Sequence, residues 1–324
     1  MKSGLLLRAL GLLLMGLSIS AAAFYAPERS LQSLIANWAP APSDFIELPN
    51  PSSSQLIHLR DQGPREDPLP IVLIHGTSAS LHTWEGWVSG LAKTRRVITF
   101  DLPGFGLTGP SADGDYSDEA YVRTTLALLD HLKLKQVVLG GNSLGGQVAW
   151  ETALLHPQRV AGLVLVDAGG LAVTSESVPI GFRIARLPGL RVVARNLLPR
   201  SLIESSVRNV YGDPAKVTPA LVDRYFELTL REGNREALAR RMDQRRPGFY
   251  ADRLHELKQP TLILWGGRDH LIPPGNADVF ARHIAGSRLV MFDALGHVPQ
   301  EEDPAATLKP VREFLDGMTT VAAN

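Results

Sequence analysis

Cysteine is absent from the chain. That removes disulfides, thiolate metal sites and a thiol nucleophile together. It leaves the compartment open, because exported proteins also fold without disulfides. A charge surplus of either sign is missing too: 33 Lys and Arg balance 33 Asp and Glu. Nucleic-acid binding usually needs a basic excess, so nothing global points to that partner. Internal repeats and low-complexity tracts are lacking beyond the first residues. What remains is ordinary globular composition, 44% hydrophobic and 20% charged, which excludes a disordered or fibrous protein. A length of 324 residues suits two domains or one large domain carrying an insertion.

The amino terminus differs from the rest. Lys2 and Arg8 supply positive charge, and the 18 residues from Ala9 to Ala26 contain none. This is the form of an export signal with a positive n-region and an apolar h-region, and Ala21-Ala22-Ala23 offers small residues for cleavage. The run is also close to the roughly 17–25 residues that span a bilayer. An uncleaved anchor is therefore a second reading, with Lys2 and Arg8 keeping the amino terminus cytoplasmic and the body outside. A buried helix of a cytosolic protein is a third, and it is opposed by the lack of a polar face. The expectation is an exported protein, periplasmic or secreted, with residues 1–26 as signal or membrane anchor and 27–43 as connector. Within the connector, Leu31, Leu34, Ile35 and Trp38 have helical spacing, and Pro40 and Pro42 end the helix.

From residue 44 onward a regular pattern emerges. Phe45–Leu48 and Leu56–Leu59 are short strand candidates, followed by a polar loop over Gly63–Pro70. Then Ile71–His75, Val97–Asp101, Gln136–Gly140, Leu163–Asp167, Thr261–Trp265 and Arg288–Phe292 form short runs rich in Val, Ile and Leu. These runs are nearly all apolar rather than alternating, as strands covered on both faces should be. Helical segments separate them, which argues a mostly parallel α/β sheet. Residues 171–250 break the alternation with helical patterns such as Leu221–Leu230, and read as a helical cap inserted after the sixth strand. The cap holds 14 Lys and Arg against 8 Asp and Glu, a surplus of +6, so the remainder carries −6. Its bland reading is a solvated helical surface. The sharper one is a lid whose basic face meets membrane head groups or an acidic substrate. Residues 44–170 and 251–324 form the core around it.

In a parallel α/β sheet, functional groups sit beyond the carboxyl ends of the strands. Gly141-Asn142-Ser143-Leu144-Gly145 follows the strand Gln136–Gly140 and precedes a helical stretch, Gly146–Leu155. This is G-x-S-x-G in its strand–turn–helix context. The tight turn tolerates only small residues at 141 and 145, and it exposes the Ser143 hydroxyl at a helix amino terminus. A serine needs a base. His297, in Gly296-His297-Val298-Pro299 after Arg288–Phe292, is the best placed of the nine histidines. An acid must orient the imidazole. Asp269 follows Thr261–Trp265 through Gly266-Gly267-Arg268 and completes the order Ser, acid, His. Asp167 also ends a strand and is the competing acid, whereas Asp101 reads as a loop-structuring residue. For the oxyanion, Gly76 allows close approach, and the amides of Thr77 and Leu144 are the candidate donors, with Ser78 as the fallback for the first. Neither a metal nor an organic cofactor is required by this chemistry.

These stretches together resemble the α/β-hydrolase superfamily: His75-Gly76 after a strand, Asp101-Leu102-Pro103-Gly104-Phe105-Gly106, the serine turn, Trp265-Gly266-Gly267-Arg268-Asp269, and Gly296-His297-Val298-Pro299 with Glu302 and Pro304. The resemblance runs from about Ile71 to Leu315. It is nearest to bacterial serine esterases and lipases with a membrane-proximal amino terminus, and it implies an α/β-hydrolase fold. The implied activity is hydrolysis of small acyl esters, monoacylglycerols among them, by an acyl-enzyme on Ser143, Asp269 and His297. Gly141-Asn142-Ser143 also occurs in carbon–carbon bond hydrolases of aromatic breakdown, which usually carry Gly-Pro-Gly after His-Gly; here the run is Thr77-Ser78-Ala79. A carbon–carbon hydrolase or perhydrolase on the same triad is the alternative, and a non-catalytic binding protein on this fold a further one. Dehalogenases and epoxide hydrolases place Asp where this chain has Ser143. The expected partners are a small acyl ester and, through the amino-terminal segment and the basic cap, a membrane surface.

Overall fold

The computed structural model describes residues 24–51, 53–185, 187 and 196–322, together with 11, 12, 15 and 22. Most of the expected signal or anchor lies outside the described residues. Among those described, no helix is long and apolar enough to cross a membrane.

The apolar runs become one sheet of eight strands. They are β1 (Ser43–Asn50), β2 (Ser53–Gln62), β3 (Ile71–Ile74), β4 (Val97–Phe100), β5 (Val137–Asn142), β6 (Val160–Val166), β7 (Thr261–Gly266) and β8 (Arg288–Phe292). Their order is β1-β2-β4-β3-β5-β6-β7-β8. The β1–β2 and β2–β4 pairs are antiparallel, and every later pair is parallel. Side chains alternate across the sheet. Val72, Ile74, Leu139, Leu165 and Ile263 therefore pack into one apolar layer, and Ile71, Leu73, Val164, Leu262 and Leu264 into the other. Burial on both faces explains why these strands read as continuous apolar runs. The edge strands β1 and β8 are exceptions, and in β8 each residue is at least partly accessible.

Helices cover both faces. The first layer receives α3 (Asp118–His131) and α4 (Leu144–Leu155), and the second receives α2 (Glu85–Leu91) and α9 (Pro304–Ala322). Ser117 starts α3 in extended backbone, and its side chain accepts from Ala120 N–H, an N-cap that satisfies one of the unpaired first-turn donors. Between β6 and β7 the chain forms α5 (Ile180–Ala185), α6 (Arg200–Val210), α7 (Pro219–Thr229) and α8 (Asn234–Gln244). These lie over the carboxyl end of the sheet, where they line a cavity together with Ser143 and His297.

The connector is also part of this arrangement. Its helix α1 (Leu31–Trp38) is capped by the Ser30 side chain and buries Leu34 against Leu107 and Leu228. Ahead of it the backbone is laced to the cap. Ala26 N–H donates to Asn196 O at 2.8 Å, Leu198 N–H to Phe24 O at 2.9 Å, and Arg29 N–H to Leu230 O at 2.7 Å. Trp38 Nε1 donates to Glu227 at 2.7 Å. The segment 24–38 thus straps the cap from outside.

Candidate active site

Ser143 stands between β5 and α4 with φ 55° and ψ −116°, a backbone conformation costly for any residue with a side chain. Packing imposes it. A Cβ on Gly145 would lie 2.0 Å from Ile74 O, and one on Gly141 would lie 2.2 Å from Gly145, so the turn closes only where both lack side chains. The Ser143 carbonyl accepts from Gln147 N–H at 3.0 Å and Gly169 N–H at 2.8 Å, and its own N–H donates to Val166 O at 3.1 Å. The helix begins at Leu144, two residues before the expected start at Gly146, because packing rather than propensity selects Gly145-Gly146.

His297 and Asp269 meet. His297 Nδ1 lies 2.6 Å from Asp269 Oδ2, and both residues are buried. The other Asp269 oxygen, Oδ1, accepts from the amides of Leu271 at 2.8 Å and Ile272 at 2.9 Å. The acid is thereby fixed as an acceptor, and Nδ1 of the ring carries the proton between them. His297 is also tied to the serine turn, since Asn142 Nδ2 donates to His297 O at 2.8 Å. Ser143 and His297 line the same cavity.

Asp167, the competing acid, does not orient the ring. It leaves β6 with φ 43°, and its Oδ1 accepts from Gly266 N–H at 2.9 Å. Its carboxyl, that of Asp269 and the His297 ring nonetheless have donor atoms within 4.8 Å of one another. Burial, reinforced by the Asp269 charge, pushes the Asp167 carboxyl well above the usual carboxylate range. Such spacing resembles a metal centre, but His297 Nδ1 and the Asp269 oxygens are already joined to each other and to two amides.

The expected oxyanion donors flank the serine. A Cβ on Gly76 would lie 3.1 Å from Ser143 Cβ, so the Gly76–Thr77 backbone runs directly beside the hydroxyl-bearing residue. Leu144 opens the helix on the other side, and Thr77 and Ser78 both line the cavity. Asp101 supports this loop as a structural residue: its Oδ1 accepts from Leu81 N–H at 2.7 Å, and its Oδ2 from Leu107 N–H at 2.7 Å. Although burial opposes it, the charge and hydrogen bond of His58, 2.8 Å away, hold the Asp101 carboxyl below the usual range.

The remaining histidines have structural partners or lie at the surface. His75 Nε2 accepts from Leu102 N–H at 2.9 Å, and burial lowers its pKa. Burial brings His82 down to about 4. His270 pairs with Glu176 at 2.8 Å on the surface.

Two features were not foreseen from the sequence. Glu302 clasps the His297 loop to the cap. Its Oε2 accepts from Gly296 N–H at 2.8 Å and Gly212 N–H at 2.9 Å, and its Oε1 from Asp213 N–H at 2.8 Å. His297 N–H in turn donates to Val210 O, at the end of α6, at 2.8 Å. Beyond the serine, the cavity is walled mainly by apolar cap residues, among them Phe182, Leu202, Ile203, Val207 and Val210. The helical spacing of 203, 207 and 210 was readable, but the surface they face was not.

A family model described as alpha/beta hydrolase fold matches residues 70–304. The chain is 34% identical over 254 residues to the dihydrolipoyllysine-residue acetyltransferase component of the acetoin cleaving system of Pseudomonas putida, covering 76% of this chain and 63% of that protein. It is 29% identical over 255 residues to 2-hydroxymuconate semialdehyde hydrolase of Pseudomonas sp. strain CF600, covering 76% of this chain and 86% of that one. A thermophilic esterase from Thermogutta terrifontis superposes with a TM-score of 0.71 at 26% identity, covering 86% of this chain and 99% of that chain. With the serine turn, the buried His–Asp pair and the eight-stranded sheet in place, the chain belongs to the α/β hydrolase fold family.

Proposed function

We propose that the protein is a serine hydrolase of carboxylic esters with an apolar acyl group. The observation that carries this reading is the buried Asp269–His297 pair at 2.6 Å, whose His297 shares an apolar cavity with the strained Ser143. His297 Nε2 takes the Ser143 proton as the hydroxyl oxygen attacks the ester carbonyl, and Asp269 stabilises the imidazolium. The amides of Thr77 and Leu144 receive the negative oxygen, each such donor being worth roughly 2.7–4 kcal/mol of barrier. Collapse expels the alcohol with the proton from His297 and leaves an acyl group on Ser143. Water, deprotonated by His297, then releases the acid. Every step uses side chains and amides of this chain, and no cofactor enters.

A second reading keeps the same triad and replaces the ester by a vinylogous diketone, with a carbon–carbon bond as the one broken. The likeness to a 2-hydroxymuconate semialdehyde hydrolase favours it. The apolar cavity and the run Thr77-Ser78-Ala79 favour the ester. Side-by-side assay of a p-nitrophenyl ester and a vinylogous diketone separates the two. In either case Ser143→Ala should lower turnover by a factor on the order of 10⁶ while leaving the thermal midpoint in place, and full activity in that variant overturns the mechanism.

Export and approach to a lipid surface complete the proposal. The apolar run that precedes Phe24 leads directly into the strap bonded to Asn196 and Leu198. Leu197 and Leu198 line the cavity. An amino terminus held at a membrane would bring the strap and the cap bonded to it to that surface.

A further inference from the structure

Two carboxyl groups buried within 4.8 Å of each other cannot both be ionised without a large Coulombic cost. The donors around each decide which one keeps a proton. Asp269 accepts from three: His297 Nδ1, Leu271 N–H and Ile272 N–H. Among the described residues Asp167 accepts from one, Gly266 N–H at its Oδ1, while its buried Oδ2 meets no donor. A carboxylate with three donors is strongly stabilised, and a bare buried carboxylate oxygen is not. The charge therefore belongs on Asp269 and the proton on Asp167 Oδ2. An acid in that state is no longer a rival of Asp269 but a donor to it.

From this juxtaposition we infer that Asp167 is a positioning residue: its carboxyl O–H donates a hydrogen bond to the Asp269 carboxylate and so holds the acid that orients His297. The inference rests on the proposed hydrolytic reading of the site and adds a fourth member to its proton network. The backbone fits the role, since φ 43° at Asp167 is a region that Asp and Asn enter more readily than other non-glycine residues. Burial and the Asp269 charge both act to keep the Asp167 proton in place. Among the described residues, His297 lies beside it and the Glu302 charge also reaches it, while the oxygens of Glu302 accept from three amides.

The donated bond has a direction of effect. It withdraws electron density from Asp269, so the imidazolium of His297 is slightly less stabilised than it would be beside a bare carboxylate. Removing the donor should raise the pKa on the acid limb of kcat/KM and loosen the ring.

Two variants and one spectrum test this. Asp167→Gly tolerates the left-handed backbone but removes the carboxyl. It should lose up to about 100-fold in kcat, as misplaced catalytic groups do, and move the acid limb to higher pH. Asp167→Asn retains a donor and should restore most of the rate and the original limb. The wild-type minus Asp167→Asn infrared difference spectrum at neutral pH should contain the carbonyl stretch of a protonated carboxyl group, which requires no activity. Asp167→Gly with wild-type kcat and an unmoved limb overturns the inference, as does equal loss in both variants with no change in pH profile. Absence of the protonated-carboxyl band overturns it independently of any assay. If the band is present but neither ester nor diketone is turned over by the wild type, the hydrolytic reading has failed and the hydrogen bond stands.

Discussion

A single buried carboxylate can set how this protein responds to pH. Glu151, on α4 two turns after Ser143, is raised to about 8, first by burial and then by the neighbouring Asp118 charge. Gln147 Nε2 donates to its Oε1 at 2.8 Å, and its Oε2 has no partner among the described residues. The folded state therefore holds a proton that the unfolded chain releases near the ordinary Glu value of about 4.3. Between those two values the native state binds more protons, so stability falls as pH rises and the loss is complete only above the folded pKa. Glu151→Gln keeps a carbonyl acceptor for Gln147 and removes the ionisation. Its melting temperature should exceed that of the wild type at pH 8 by an amount equivalent to a few kcal/mol, about 1.4 kcal/mol per pH unit of the window. The two proteins should melt together near pH 4. A constant difference across that range would show that Glu151 has the same pKa in the folded and unfolded protein.

At the scale of elements, the serine turn makes the strictest demand. A methyl group on Gly145 meets the Ile74 carbonyl at 2.0 Å, a backbone atom that cannot move without breaking the pairing of β3 with β5. Gly145→Ala should thus cost several kcal/mol, more than typical overpacking of about 1–3 kcal/mol. Circular dichroism should record a melting point lowered by ten degrees or more, or no folded protein. A variant with the wild-type midpoint would contradict this packing. The same turn shows what the sequence could reveal. Its glycines, its place after an apolar run and the Ser–Asp–His order are all local signals, and local signals predicted β3, β4, β7 and β8 to within a residue. Strand β6 was harder. It begins at Val160 rather than Leu163 and ends before Asp167, because its pairing with β5 starts at Val137–Val160 across an irregular register, and pairing partners are nonlocal. Asp167 was ambiguous for the same reason: sequence order admits two acids, and only their positions around the imidazole assign one to orient it. The clasp by Glu302 needed three amides from two distant loops, so no spacing rule exposes it.

In the molecule as a whole, the sheet carries the serine turn and the His–Asp pair while the cap walls the cavity beside them. The serine turn and Asp269 follow strands buried on both faces, and His297, after the edge strand β8, is fixed by its bonds to Asp269, Asn142 and Val210, which holds the three within the tolerance that proton transfer needs. The cap supplies most of the apolar wall and is secured at two places: outside by the strap at 24–38 and inside by Glu302. Acyl selection should then depend on cap side chains without involving the triad. Ile203, on α6, faces the cavity and packs beside Val207. Replacing it with Trp shrinks the apolar space, which a long acyl chain needs and a short one does not. Each methylene excluded from an apolar pocket is worth roughly 1–3 kcal/mol, or 10–200-fold in kcat/KM. In a series of p-nitrophenyl esters, Ile203→Trp should turn over acetate within about threefold of the wild type and octanoate at least tenfold more slowly. Equal effects on both esters would place the acyl chain elsewhere, for instance along the opening lined by Gln147, Arg241 and Met242. That outcome would reassign the apolar cavity to the alcohol.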